Sequence, residues 1–127
     1  MSLINYINIP NALWKGIYQT GSSVICNPPV LDTDIDFIIC TDKEIGLDKF
    51  LTTNGFKQSI TDQEEYELDE DGFTCYRKDN INLIVLISYT GYLKLITATK
   101  LAKKLNLLKK EDRITLFKFV LYGELST

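Results

Sequence analysis

The chain has no histidine, only three cysteines and three prolines, and no long hydrophobic run. Each scarcity closes off a class of protein. Without histidine, neither a Ser-His-Asp nor a Cys-His nucleophilic site can be built, and no imidazole can act as general base. Cys26, Cys40 and Cys75 are an odd number at unrelated spacings, with no Cys-x-x-Cys pair. Neither a disulfide framework nor a structural zinc site is expected, and a reducing cytoplasm is the expected location. No apolar stretch approaches the roughly 18 residues of a membrane span, so no membrane partner is expected. The N-terminus lacks the basic region and apolar stretch of a signal peptide. Any catalysis would use carboxylates, a metal ion, lysine, tyrosine or backbone donors.

What is present reads as one globular domain over residues 1–127, with 45% apolar and 24% charged residues. Charge is unevenly spread. Residues 90–127 hold eight Lys/Arg and three Asp/Glu, whereas residues 1–89 hold six and fourteen. The basic part reads first as lysine-rich solvated helix faces. A nucleic-acid partner is the weaker expectation, because the chain is acidic overall and the seven acids within residues 62–71 would repel a polyanion. Lys103, Lys104, Lys109 and Lys110 form the densest basic cluster.

Periodicity sets out the elements. Residues 10–17 suit a short helix with Leu13, Trp14 and Ile17 as its stripe, and 17–20 a short strand ending at Gly21. Pro28 and Pro29 keep 27–33 irregular. Residues 34–41 form a strand, 43–54 a helix with Ile45, Leu47, Phe50 and Leu51 inward, and Asn54-Gly55 its stop. A weak strand at 56–60 and the acidic loop at 61–72 follow. Residues 73–78 and 81–87 form a hairpin across Asp79-Asn80. Its second strand is apolar on both faces apart from Asn82 and belongs inside the sheet. A helix runs from Thr90 to Leu105 with Leu93, Ile96, Leu101 and Leu105 apolar, and another from Asp112 to Tyr122. The fold class is α+β: a mixed β-sheet flanked by helices, with two C-terminal helices.

The candidate site lies at Gly21-Ser22-Ser23 and at Asp34-Ile35-Asp36. Alternation puts Asp34 and Asp36 on one strand face and Ile35, Phe37 and Ile39 on the other. Two adjacent carboxylates repel one another but suit a divalent cation with oxygen ligands. The bland alternative is a polar strand facing water. Trp14, Tyr18, Phe56 and Tyr76 are candidate stacking platforms for a base, with Trp14 and Phe56 reading first as core and Tyr18 and Tyr76 too ordinary to assign. Cys26 lacks a histidine to activate it and reads as structural.

Gly21-Ser22 followed by Thr33-Asp34-Ile35-Asp36-Phe37-Ile38 resembles the signature of the nucleotidyltransferase superfamily of DNA polymerase β and the minimal nucleotidyltransferases. The intervening loop, Val24 to Val30, lacks the arginine that this family often carries. The resemblance implies a nucleotidyltransferase-like core that binds a nucleoside triphosphate at Gly21 and Ser22. It implies Mg²⁺ held by Asp34 and Asp36, which would also be the catalytic residues. A third carboxylate is expected on a neighbouring strand, where this chain has Asn82, and an amide cannot act as base. Asp79 and Glu67 are the alternative carboxylates, though neither stands at the matching position, and Asp32 precedes the strand. Two function classes stay open: transfer of a nucleotidyl group to a hydroxyl acceptor, and a catalytically inactive effector that binds a host protein or nucleic acid. The string from Gly21 to Phe37, with Leu105 to Leu108 and Asp112 to Phe117, also resembles small uncharacterised bacteriophage proteins. That implies a phage origin and a location in the host cytoplasm, without supplying a function.

Overall fold

The computed structural model describes Leu3 and residues 6–27, 34–60 and 73–123. Thr33, Asp32, Glu67 and the acidic run lie outside the described residues. The elements are β1 (Gly16–Thr20), α1 (Ser22–Ile25), β2 (Ile35–Cys40), α2 (Glu44–Thr53), β3 (Lys57–Gln58), β4 (Phe73–Lys78), β5 (Ile81–Leu86), α3 (Tyr89–Leu105) and α4 (Lys110–Tyr122). The described strands form one five-stranded sheet in the order β1-β2-β5-β4-β3. β2 and β5 run parallel, and the other neighbours pair antiparallel. This is the expected α+β class.

Strand alternation builds two apolar layers. Phe37 and Ile39 of β2 join Leu83 and Val85 of β5 against Leu47 and Leu51 of α2. Ile38, Cys40, Ile84 and Leu86 face the opposite way, under Tyr92 and Leu95 of α3 and Leu121 of α4. β5 is buried along its whole length, as its two-faced apolar sequence requires. The hairpin turns at Asp79, which takes a positive φ of 55°. Past the end of α2, Phe56 N donates to Leu51 O, with Gly55 at φ 90°, the glycine-dependent helix stop that Asn54-Gly55 announces.

Four expectations need correction. Residues 10–17 do not form a helix: a 3-10 turn covers Asn11–Leu13, and Gly16 already pairs with Cys40. Pairing along β2 satisfies more backbone groups than one isolated helical turn would. Gly16 also lets the Tyr92 ring lie close, since a Cβ there would stand 2.6 Å from it. The strand at 56–60 shrinks to two exposed edge residues, Lys57 and Gln58. In α2, Ile45 points to solvent and is 82% exposed. In α3 the buried face is Tyr92, Leu95, Ala98, Thr99 and Ala102, while Leu93, Leu101 and Leu105 are exposed. The small residues let the helix approach β1 and α1 more closely than leucines would allow.

Candidate functional site

One end of the sheet carries a polar row. Thr20 of β1 pairs with Asp36 of β2, Asp36 with Asn82 of β5, and Asn82 with Arg77 of β4. All four share the face covered by α3 and α4, because each has the parity of its strand's inward residues on that side. Asp34 lies just before β2, which begins at Ile35 and not at residue 34. It keeps the parity of Asp36 and adds to the row.

The row is stitched by side-chain hydrogen bonds. Thr99 Oγ1 donates to Leu95 O at 2.8 Å, so Thr20 Oγ1 is the donor in its 2.6 Å bond to Thr99. Asn82 Nδ2 donates to Asp36 Oδ1 at 3.1 Å. Arg77 Nη2 donates to Asp34 Oδ2 at 2.9 Å, an ion pair with side chains 30% and 47% exposed respectively. Asp36 is 4% exposed and Asn82 1%. Two buried polar side-chain atoms have no hydrogen-bond partner among the described residues: Asn82 Oδ1 and Ser23 Oγ. Both belong to segments that build this end of the sheet.

Gly21 is required here. Its φ of 86° and ψ of 178° fall in a region open essentially to glycine, and a Cβ would collide with the Asp36 carboxylate. The Gly-Ser turn therefore lies directly against the second aspartate, with Ser22 buried at the start of α1.

Thr20, Gly21, Ser22, Asp34 and Asp36 line one wall of a cleft. The opposite wall is α4, through Lys110, Arg113, Phe117 and Lys118. Of the four lysines in the basic cluster, only Lys110 lines this cleft. Arg113 is held from below: its Nη1 donates to Leu107 O and Leu108 O, both at 2.9 Å, and approaches Cys26 Sγ at 3.4 Å. Asn27 and Asn106 tie the end of the Gly-Ser segment to the α3–α4 connection by reciprocal bonds of 2.9 and 3.1 Å. The cleft volume is about 100 Å³. That holds several waters at roughly 10–15 Å³ each.

Comparison with known proteins bears on the fold. No family model matches the chain, and no curated protein gives a significant sequence match. Among solved structures it is similar to the conserved protein GrpB of Enterococcus faecalis. The identity is 15% and the TM-score 0.51, over 90% of this chain and 86% of that one. The five-stranded mixed sheet and its helices are consistent with a nucleotidyltransferase-like fold. A likeness at this identity speaks for the fold alone.

The structure brings Gly21, Ser22, Asp34 and Asp36 to one cleft and sets Asn82 beside Asp36. Asp79 is exposed in the hairpin turn and does not line the cleft. None of the four aromatics considered for stacking lines it either. Phe56 is core. Tyr76 is buried on the opposite face and donates to Asp48 at 2.6 Å, and burial and that bond push its hydroxyl pKa well up. Trp14 is partly buried and donates to Ile9 O at 3.1 Å, and Tyr18 is partly buried at the α3 side of the sheet. The cleft aromatic is Phe117. The basic cluster already pointed to Lys110, whereas Arg77, Arg113, Phe117 and Lys118 carry no local signal of their own, because they lie 40 or more residues from the Asp-Ile-Asp motif. The excess of cations after residue 90 was the one visible trace of the α4 wall.

Proposed function

We propose that this chain binds a nucleoside triphosphate together with one Mg²⁺ in the cleft between the Gly21 turn and α4. In this reading nucleotidyl transfer to a hydroxyl acceptor is slow. The observation that carries the reading is the juxtaposition of Gly21, Asp36 and Asn82: a glycine-only turn against a buried aspartate, with an amide where a base would stand.

The anion side of the proposal rests on charge. Lys110, Arg113 and Lys118 face the carboxylate wall across the cleft, and cations in a partly enclosed cleft attract phosphates. They stand in for the arginine that the loop lacks. Phe117 offers a ring on which a base can stack. The metal side rests on oxygens. Mg²⁺ takes oxygen ligands, and Asp34 and Asp36 bring two carboxylates to the cleft, to be completed by phosphate oxygens and water. No group of three or more His, Cys, Asp or Glu suited to a metal exists among the described residues. Two carboxylates with phosphate oxygens and water suit one ion. A bound Mg²⁺ would neutralise phosphate charge. Asp36 would help hold it, Ser22 and the Gly21 turn would orient a phosphate, and Asn82 would fix the Asp36 carboxylate without accepting a proton.

The ion pair between Arg77 and Asp34 favours a second reading. A carboxylate already matched by the chain's own cation suits an inactive, phage-encoded effector that keeps the fold and binds a host protein. The deciding experiment is pyrophosphate release from each triphosphate, followed with calorimetric binding on the same preparation. Binding without release supports a nucleotide-binding protein with curtailed chemistry. Neither binding nor release leaves the effector reading. A gel shift at low salt that disappears steeply as salt rises would turn that reading towards nucleic acid.

A further inference from the structure

We infer that Arg77 is the resident counter-ion of Asp34 and competes with a divalent cation for that carboxylate, so that the free protein holds its metal site closed. The inference builds on the metal reading above and concerns a residue outside the Asp-Ile-Asp motif.

The register explains how Arg77 comes to be there. It is the cross-strand partner of Asn82, which is in turn the partner of Asp36. Directly opposed side chains on one face stand about 4.5–5.5 Å apart at Cβ. A carboxylate at position 82 would give the guanidinium an anion beside it. Asn82 is neutral, its amide is committed to Asp36, and Arg77 reaches on to Asp34. A guanidinium has a fixed fork of donors and keeps its charge, so it stays at the carboxylate as a counter-ion. A cation that arrives at Asp34 must displace it.

The strength of the pair makes this a latch that a ligand can open. With side chains 30% and 47% exposed, solvent screens the attraction, and pairs of this kind hold by a factor of about fivefold at most. Mg²⁺ delivered with a triphosphate brings extra contacts, from its phosphates to Lys110, Arg113 and Lys118, that a bare ion lacks. Metal without nucleotide is therefore disfavoured relative to metal with nucleotide. Arg77, once released, is a further donor at the cleft's edge.

The test uses Mn²⁺ alone on the full chain, with free Mn²⁺ followed by its paramagnetic resonance and no nucleotide present. Arg77→Gln should bind Mn²⁺ about fivefold more tightly than the unaltered chain. Arg77→Lys keeps the charge but loses the fork, and should fall between them. Lys78→Gln removes the same charge one residue along, on the opposite face, and should leave Mn²⁺ affinity within about twofold. Equal affinities for Arg77→Gln and the unaltered chain overturn the inference while leaving the metal site standing. An equal gain in Lys78→Gln overturns it too, because the effect is then a general field. Absence of Mn²⁺ binding in all four chains overturns the metal reading itself. Far-UV circular dichroism on each variant, with the Lys variant as the milder change, separates loss of the site from loss of the fold.

Discussion

β2 and β5 run side by side for six residues, and their two ends are built on opposite terms. At one end Ile39, Cys40, Val85 and Leu86 shut out water on both faces of the sheet. At the other, Asp36 and Asn82 are buried as deeply and face each other through one hydrogen bond, with Asn82 Oδ1 left without a partner among the described residues. Apolar burial stabilises by about 25 cal/mol per Å² and needs no partner. A buried polar group costs about 1–3 kcal/mol when its partner is missing. The first end holds the fold together. The second costs stability, and a fold tends to keep such a cost where a ligand is to be bound.

The largest effect belongs to the apolar end. Leu83→Ala should lower unfolding stability by about 3 kcal/mol, within the roughly 2–5 kcal/mol range of buried leucine truncations. Chemical denaturation measures it. Because Leu83 faces α2 and not the cleft, the remaining folded protein should keep its affinity for nucleotide. A parallel loss of affinity would erase the distinction between the two ends.

Next comes Asn82→Asp, which sharpens the polar end. It sets a second carboxylate beside Asp36, so stability without metal should fall by about 1–2 kcal/mol, and Mg²⁺ should restore it. If the missing base limits chemistry, pyrophosphate release should rise about a hundredfold, the lower bound of what a positioned base contributes. Brisk turnover by the unaltered chain that drops in this variant would place the base elsewhere. Gly21→Ala should cost about 2 kcal/mol through its backbone conformation and its collision with Asp36. It should also remove triphosphate binding. Unchanged binding would separate the Gly-Ser turn from the site.

The contrast between the ends also marks what the sequence could and could not show. Alternation through Asp34-Ile35-Asp36-Phe37 was enough to assign Asp36 to one face and Phe37 to the other. The apolar residues on both faces of β5 were enough to place that strand inside the sheet, and Asn82, the exception among them, is buried with it. α3 was harder. Its exposed Leu93, Leu101 and Leu105 gave the stronger apolar pattern, while the covered face used Ala98, Thr99 and Ala102. Periodicity shows that a helix has faces, and only packing decides which one is covered. The ion pair between Arg77 and Asp34 and the wall formed by Lys110, Arg113 and Lys118 depend on register and helix placement across 40 to 80 residues. No local pattern encodes them.

The most direct test of the central claim is calorimetric titration of the chain with ATP and the other triphosphates, with Mg²⁺ and with EDTA, alongside Asp36→Asn. The account predicts binding that Mg²⁺ strengthens, and a loss of at least about tenfold, roughly 1.4 kcal/mol, in Asp36→Asn. Equal affinity in EDTA and in Mg²⁺, with Asp36→Asn indistinguishable from the unaltered chain, would contradict it.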